Sequence, residues 1–276
     1  TTDTVPINNT EINSTTGANT NITNDLTSTG YENMVLNTGS GSGNVEQTIA
    51  TITLTADAAS AATSLTLKGN NAIDISTQVT TNSTAGVTVD ASAMKSQASG
   101  TTTFDVAAIA TGTGGTVTVT GSDGDDLVGA NGAVLSASAS TVDGKGGADA
   151  IYTGAANDTI DGGSGKDTIN SGAGNDTVNG GADNDTIDFS GNFTIKDSVD
   201  GGDGTDTLTL NNTDATTLGA YSLGQINTMN GRISNIEVVS FGTTLAQTID
   251  MGRVDGISSV ILGNLAGDSG LSGLAA

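Results

Sequence analysis

The amino-acid sequence predicts an all-β chain wound as a parallel β-solenoid, and three observations predict it. Short runs alternate apolar and polar residues with period two. Gly, Asn, Ser and Asp punctuate those runs, and between Thr120 and Thr209 a nine-residue unit repeats. Helix formers are scarce beside Thr, Val, Ile, Asn and Gly, which favours strands and turns. Low aromatic content with high acidic charge is also what a disordered chain shows. Regular alternation and a strict repeat weigh against that reading.

The 276 residues include 40 glycines and one proline, with no cysteine, histidine or tryptophan. Lys and Arg total 7 against 30 acids, giving a net charge of −23. Such a balance argues against nucleic acid and against docking on anionic lipid, both of which need clustered positive charge. It is the right sign for divalent cations. The acid is almost all aspartate, the glutamates being Glu11, Glu32, Glu46 and Glu237. A solvated helical surface mixes Glu with Lys, so this bias points to turns and ligands. Without cysteine there is neither a disulfide scaffold nor a thiolate metal site. No run approaches the roughly 18 apolar residues of a membrane helix, so no direct membrane insertion is expected. A chain opening at Thr1 without methionine is expected to be a processed product or a piece of a longer protein.

The chain divides into four segments. Residues 1–47 are Thr- and Asn-rich and are expected to be extended or in short strands, with scattered apolar residues such as Val5, Ile7, Ile12 and Ile22. Residues 48–119 sharpen into alternating strands, among them Thr51–Thr55, Ser64–Leu67, Ala72–Ile75, Val87–Val89 and Val117–Val119. Continuity with the repeats favours a solenoid over a sandwich here. Short helices are expected at Ala56–Ala62 and Ala91–Ala98. Residues 120–209 carry the repeats. Residues 210–276 return to strands, with Thr207–Leu210 at the boundary, Ile236–Val239 and Val260–Leu262, joined by an irregular or partly helical Leu218–Met229.

The clearest unit is Gly162-Gly163-Ser164-Gly165-Lys166-Asp167-Thr168-Ile169-Asn170, which fits G-G-x-G-x-D-x-U-x with U a large apolar residue. Five units run in register from Gly144 to Asp188. Their sixth-position aspartates are Asp149, Asp158, Asp167, Asp176 and Asp185, and their eighth positions are Ile151, Ile160, Ile169, Val178 and Ile187. Outlying units at Thr120–Val128, with Asp125 and Leu127, and at Gly201–Thr209, with Asp206 and Leu208, complete the set. Insertions Gly129–Asp143 and Phe189–Asp200 interrupt the register.

Six residues make a glycine-rich loop and three make a strand of about 10 Å. Two units then form one turn of a flattened coil, so loops n and n+2 stack on one edge. Asp149, Asp167 and Asp185 should line one edge, and Asp158 and Asp176 the other. Bare carboxylates about 4.8 Å apart repel by roughly 3 to 4 kcal/mol at an effective dielectric near 20. A calcium ion between loops reverses that sign, because it takes six or more oxygens at about 2.3 to 2.6 Å and accepts backbone carbonyls. Magnesium demands a tighter octahedron, and zinc lacks its His or Cys ligands. Asp-Gly hairpin turns such as Asp143-Gly144, Asp161-Gly162 and Asp200-Gly201 are the competing explanation. Three-residue strands are too short for hairpins, and a hairpin needs no further aspartate. No loop has the EF-hand pattern of alternating ligands ending in a twelfth-position Glu.

These nonapeptides resemble the RTX, or hemolysin-type, repeats of proteins exported by type I secretion, whose fold is a parallel β-roll. The resemblance implies several calcium ions, each held between loops by the sixth-position Asp and by carbonyls of the first four positions. Carried over by position, the ligands are Gly162, Gly163, Ser164 and Gly165 with Asp167; Ser171, Gly172, Ala173 and Gly174 with Asp176; and Gly180, Gly181, Ala182 and Asp183 with Asp185. Asp125, Asp149, Thr153, Ala155, Asp158, Gly201, Asp203 and Asp206 complete the expected set. The sequence departs from the pattern where Thr120, Thr153 and Ser171 replace the first glycine, Ala156 and Asp183 the fourth, and Lys145 the second.

The missing histidine excludes an H-E-x-x-H metalloprotease and a Ser-His-Asp hydrolase, and there is no G-x-S-x-G elbow. Nothing marks a glycosidase carboxylate pair among so many turn aspartates. No enzyme activity is expected in this segment. The Thr-, Ala-, Asn- and Ser-rich strands and the almost charge-free Ile49–Thr120 are similar to bacterial surface-layer proteins. That likeness implies an extracellular, cell-surface protein whose partners are copies of itself in a lattice, with any cell-surface polysaccharide contacted through a region outside this segment. A secreted adhesin, and the export module of a toxin or enzyme, are the alternatives.

Overall fold

A computed structural model describes residues 4–8, 26–29, 33–38, 47–95, 103–112, 114–129, 135, 138–211, 213–214, 231–241 and 259–262. They form a parallel β-solenoid of two sheets, as the alternation and the repeat predict. The chain lays one strand in the first sheet, crosses an edge, lays the next in the second sheet, and crosses back. The first sheet runs Thr4–Asn8, Asn33–Asn37, Thr63–Gly69, Gly86–Met94, Thr116–Thr120, Ser140–Asp143, Thr159–Ser164, Thr177–Ala182, Ser198–Asp203 and Ile233–Ser234. The second runs Leu26–Thr29, Gln47–Thr55, Ile73–Thr81, Phe104–Val106, Asp126–Val128, Ala150–Tyr152, Thr168–Asn170, Thr186–Asp188, Thr207–Leu210, Val238–Phe241 and Ser259–Leu262. The short strand Ile109–Ala110 also pairs with Ile73–Thr81. We call the loops from first to second sheet the outbound edge, and those that come back the return edge.

Period-two alternation has a direct consequence in this geometry. Alternate side chains of each strand point between the sheets and stack in columns along the coil axis. One column is Leu65, Val89, Val119, Val142, Ile160, Val178 and Val199 in the first sheet. Its counterpart is Ile75, Val106, Val128, Ile151, Ile169, Ile187, Leu208 and Val239 in the second. All are buried. Each coil therefore contributes only a few apolar side chains, and the core is continuous only because coils stack.

The column next to it decides where the coil needs help. After the buried Thr63 it is apolar in the early coils: Val87 and Val117 in the first sheet, Ile73 and Phe104 in the second. From Ser140 in the first sheet and Asp126 in the second it turns polar, and aspartates follow.

Three expectations are corrected. Ala56–Ala62 is a turn, not a helix; its backbone is bound by the adjacent coil, with Asn82 bonding Ala56 through both amide atoms and the Ser83 hydroxyl donating to the Ala61 carbonyl. Ala91–Met94 continues the strand Gly86–Met94, with Ala91 and Met94 in the core, because an inward face can accept small residues as well as large ones. The expected strand Ile236–Val239 begins two residues later, at Val238. Leu218–Met229 lies outside the described residues, as do Ile12, Ile22 and residues 96–98. Among the described residues no helix is long and apolar enough to cross a membrane.

Candidate metal centre

Each sixth-position aspartate stands at the end of a loop, just before a strand, with its side chain turned in. On the outbound edge they form a ladder. The Asp126 amide donates to Asp149 Oδ1, Asp149 to Asp167, Asp167 to Asp185 and Asp185 to Asp206, each at 2.8 Å. The Asp206 amide then donates to Glu237 Oε2 at 2.8 Å, and at the other end the Phe104 amide donates to Asp126 Oδ1 at 3.0 Å. The return edge has a shorter ladder, in which the amides of Ser140, Asp158 and Asp176 donate to Oδ1 of Asp158, Asp176 and Asp197. The grouping of Asp149, Asp167 and Asp185 on one edge and Asp158 and Asp176 on the other is the one two units per turn requires.

One oxygen of each carboxylate is thereby satisfied. The other is not. Oδ2 of Asp149, Asp167, Asp185 and Asp206, and of Asp176 on the return edge, is buried without a hydrogen-bond partner. Burying an unpaired carboxylate oxygen costs several kcal/mol unless the group is neutralised. Burial accordingly pushes Asp149 up to about 9, helped by its neighbours Asp126 and Asp167. It pushes Asp126 and Asp167 to about 7, and Asp176 and Asp185 to about 6. Asp158, Asp197 and Asp206 are raised by the same cause.

The orphaned oxygens have company. A Cβ placed on Gly162 would lie 2.4 Å from the carbonyl oxygen of Gly180, in the next coil, and 2.5 Å from Asp167 Oδ2. Gly144 stands the same way to the Gly162 carbonyl and Asp149 Oδ2, and Gly180 to the Gly201 carbonyl and Asp185 Oδ2. The first-position glycine thus keeps open a cradle on which a carboxylate and a carbonyl from adjacent coils converge with no proton between them. Oxygen-only donors at bonding distance from a common space suit a hard cation such as calcium. Among the described residues no three acidic side chains converge, so such a site depends on backbone carbonyls.

The carbonyls are aimed by left-handed backbone at positions two and four. Those φ values are 78° and 110° at Lys145 and Gly147, 104° and 115° at Gly163 and Gly165, and 113° and 80° at Gly181 and Asp183. They are 97° and 153° respectively for Gly202 and, on the return edge, Gly174, whose partners Gly204 and Gly172 are also positive. Lys145 turns outward to pair with Asp143 at 2.7 Å, so its charge stays clear of the loop interior. Asp183 and Asp203 are likewise exposed at positions four and three, and Ala155 is exposed in its loop. Ser164, Ala182 and Asp203 lie in register along the outbound edge. On the return edge the Ala173 amide donates to the Gly154 carbonyl. Replacing Gly163 with Ala should cost about 2 to 4 kcal/mol, because a side chain there combines left-handed strain with collision on backbone. The added Cβ would meet the Lys145 carbonyl oxygen at 2.2 Å. Thermal melts in saturating calcium check it, and an unchanged midpoint would contradict it.

One expected ligand is misplaced by one residue. Strand register sets Val128, not Leu127, opposite Ile151, so the first unit is Gly121–Gly129 and its sixth residue is Asp126. Asp125 occupies the fifth position, where Oδ1 accepts the Ala148 amide at 2.8 Å, as Asn157 and Asn184 accept from Asn175 and Thr205. Two further members went unseen in the sequence: Asp197 and Glu237. The insertions conceal units 135–143 and 192–200, which return Ser140 with Val142 and Asp197 with Val199 to the same columns. An apolar residue two places after an acid was the available signal.

A family model described as the RTX calcium-binding nonapeptide repeat (4 copies) matches residues 137–169, 161–192 and 196–212. The chain therefore carries RTX calcium-binding repeats, and the matched stretches contain Asp149, Asp167, Asp176, Asp185 and Asp206, whose Oδ2 atoms lack hydrogen-bond partners. No curated protein and no solved structure matches the chain.

Proposed function

We propose that this chain is a calcium-dependent structural segment of a bacterial cell-surface layer, which folds outside the cell and packs against copies of itself. The observation that carries the reading is the single core shared by apolar-filled and aspartate-lined coils. A coil built this way is a rod whose later part depends on calcium, with no separate body for chemistry among its described residues. The residues that would hold the ions are the aspartates whose second oxygen is left without a partner opposite a carbonyl of the next coil, Asp149, Asp167 and Asp185, together with those loop carbonyls. When bound, calcium supplies the positive charge that lets those carboxylates stay ionised and buried.

The surface supports assembly between copies. Asp90, Thr120, Asp143, Asp161, Asn179 and Asp200 stand in one outward column of the first sheet. Two such faces repel unless a cation lies between them. Extracellular calcium modules bind with Kd of about 10⁻⁴ to 10⁻³ M, so the repeats would remain unfolded in a calcium-poor cytosol, which suits export by a type I system.

Electron microscopy of the purified chain, with sedimentation, tests the assembly. Ordered sheets should form in millimolar calcium and dissolve on chelation. A chain that stays monomeric in calcium would remove the surface-layer role and leave the adhesin or export-module reading.

A further inference from the structure

The two edges of the coil carry different loops. On the outbound edge four consecutive loops, at 144–149, 162–167, 180–185 and 201–206, begin with glycine and have positive φ at positions two and four. On the return edge the loops begin with Leu135, Thr153, Ser171 and Asn192. Among the described residues only the Ser171 loop has that φ pattern, through Gly172 and Gly174; the Thr153 loop has it at neither position.

A site between coils draws oxygens from both loops, as the cradle at Gly162 does with Asp167 Oδ2 and the Gly180 carbonyl, so it needs a matching loop on both sides. The outbound edge offers three such gaps, each holding an orphaned oxygen: Asp149, Asp167 and Asp185 Oδ2. Among the described residues the return edge offers none. There a hydroxyl takes up the space that glycine leaves open on the other side. Thr153 Oγ1 donates at 2.8 Å to the Ser171 carbonyl, the counterpart of the Gly180 carbonyl facing Gly162. Asp158 Oδ2 accepts the Gly154 amide at 3.3 Å, and Asp197 Oδ2 accepts the Thr194 amide at 2.6 Å. Asp176 Oδ2 and Ser171 Oγ are both buried without a hydrogen-bond partner, so a neutral donor, one hydroxyl rotation away, stands in the same loop.

We propose that calcium loads along the outbound edge alone, in the gaps of Asp149, Asp167 and Asp185, while the return edge is closed by the hydroxyls of Thr153 and Ser171. This rests on the calcium reading above and divides its ligand set in two. The Thr153–Asp158 and Ser171–Asp176 loops, which the repeat pattern alone would make ligands, become hydrogen-bonded seams. A rod stapled on one edge has its metal-exchange chemistry, and its sensitivity to chelators, on that edge only.

The test is to count bound calcium by native mass spectrometry on the full chain and on single variants, with circular dichroism confirming the fold of each. Asp167→Asn should bind one ion fewer than the parent, and Asp158→Asn should bind the parent number. Should Asp158→Asn not fold, Asp176→Asn puts the same question to the next coil and should also keep the parent number. Loss of an ion from a folded return-edge variant would overturn the one-edge assignment while leaving calcium binding intact. A parent chain that binds no calcium would instead remove the underlying reading.

Discussion

Chelating calcium at pH 7.5 should unfold the coils from about residue 144 to 209 and leave the coils before Asp126 in place. The difference lies in one column of side chains. In the early coils that column is Val87 and Val117 in one sheet and Ile73 and Phe104 in the other, all buried. They stabilise by burial, at about 25 cal/mol per Å² of apolar surface, and need no ion. In the later coils the same column holds Asp149, Asp167, Asp185 and Asp206 on one edge and Asp158, Asp176 and Asp197 on the other, each at most 2% exposed. Stripped of cations, the carboxylates of the outbound edge must protonate, separate or return to water. Hydrogen exchange reads the outcome directly. The amides of Asp149, Asp167 and Asp185, which donate to the carboxylate of the next coil, should lose protection. Amides within Gly86–Met94 and Ile73–Thr81 should keep it. Mass action sets the scale: one ion with a Kd near 10⁻⁴ M contributes about 1.4 kcal/mol at about 1 mM calcium. Three such ions together contribute about 4 kcal/mol, close to the lower end of an ordinary domain's stability of about 5 to 15 kcal/mol. Equal protection with and without chelator would contradict the coupling.

Acid should do part of what calcium does. The relevant carboxyls have folded-state values raised above the ordinary 3.8, to about 6 for Asp176 and Asp185, about 7 for Asp167 and about 9 for Asp149. The folded metal-free state thus binds protons more tightly than the unfolded chain. Its stability is greatest below about pH 4, falls as pH rises through the window from 4 to between 6 and 9, and stays low above it. Moving one carboxyl from 3.8 to about 6 corresponds to about 3 kcal/mol. In chelator, β-structure should therefore be present near pH 4.5 and lost by pH 7.5, the reverse of the usual acid denaturation. Calcium affinity should fall across the same interval, since proton and metal compete for the same oxygens. Circular dichroism against pH with chelator checks the sign, and a metal-free chain more ordered at pH 8 than at pH 4.5 would contradict it.

Much of this was legible in the residues. The nine-residue spacing identifies the inward apolar residues Ile151, Ile160, Ile169, Val178 and Ile187 because a strand of three leaves only one residue facing in. It also separates the aspartates by edge, since two units make a turn. Asp126 was hidden because Asp125 and Asp126 are adjacent and each has an apolar residue two places on, so either frame satisfies the pattern. Only pairing of Val128 with Ile151 decides between them. Asp197 and Glu237 were hidden because their loops lack the glycines that announce a repeat. The alanine runs misled for a different reason. Alanine's helix propensity is a local preference, and at Ala56–Ala62 side chains of the neighbouring coil take the backbone bonds a helix would have made. The difference between the edges rests on hydroxyls whose partners lie a full coil away, such as Thr153 and the carbonyl of Ser171.

A crystal grown in millimolar calcium, with data collected to give an anomalous map, goes to the centre of the account. Peaks should stand between the 162–167 and 180–185 loops, in bonding range of Asp167 Oδ2 and the Gly180 carbonyl. An ordered map with both oxygens resolved and no ion between them would mean that something other than a cation holds these coils together.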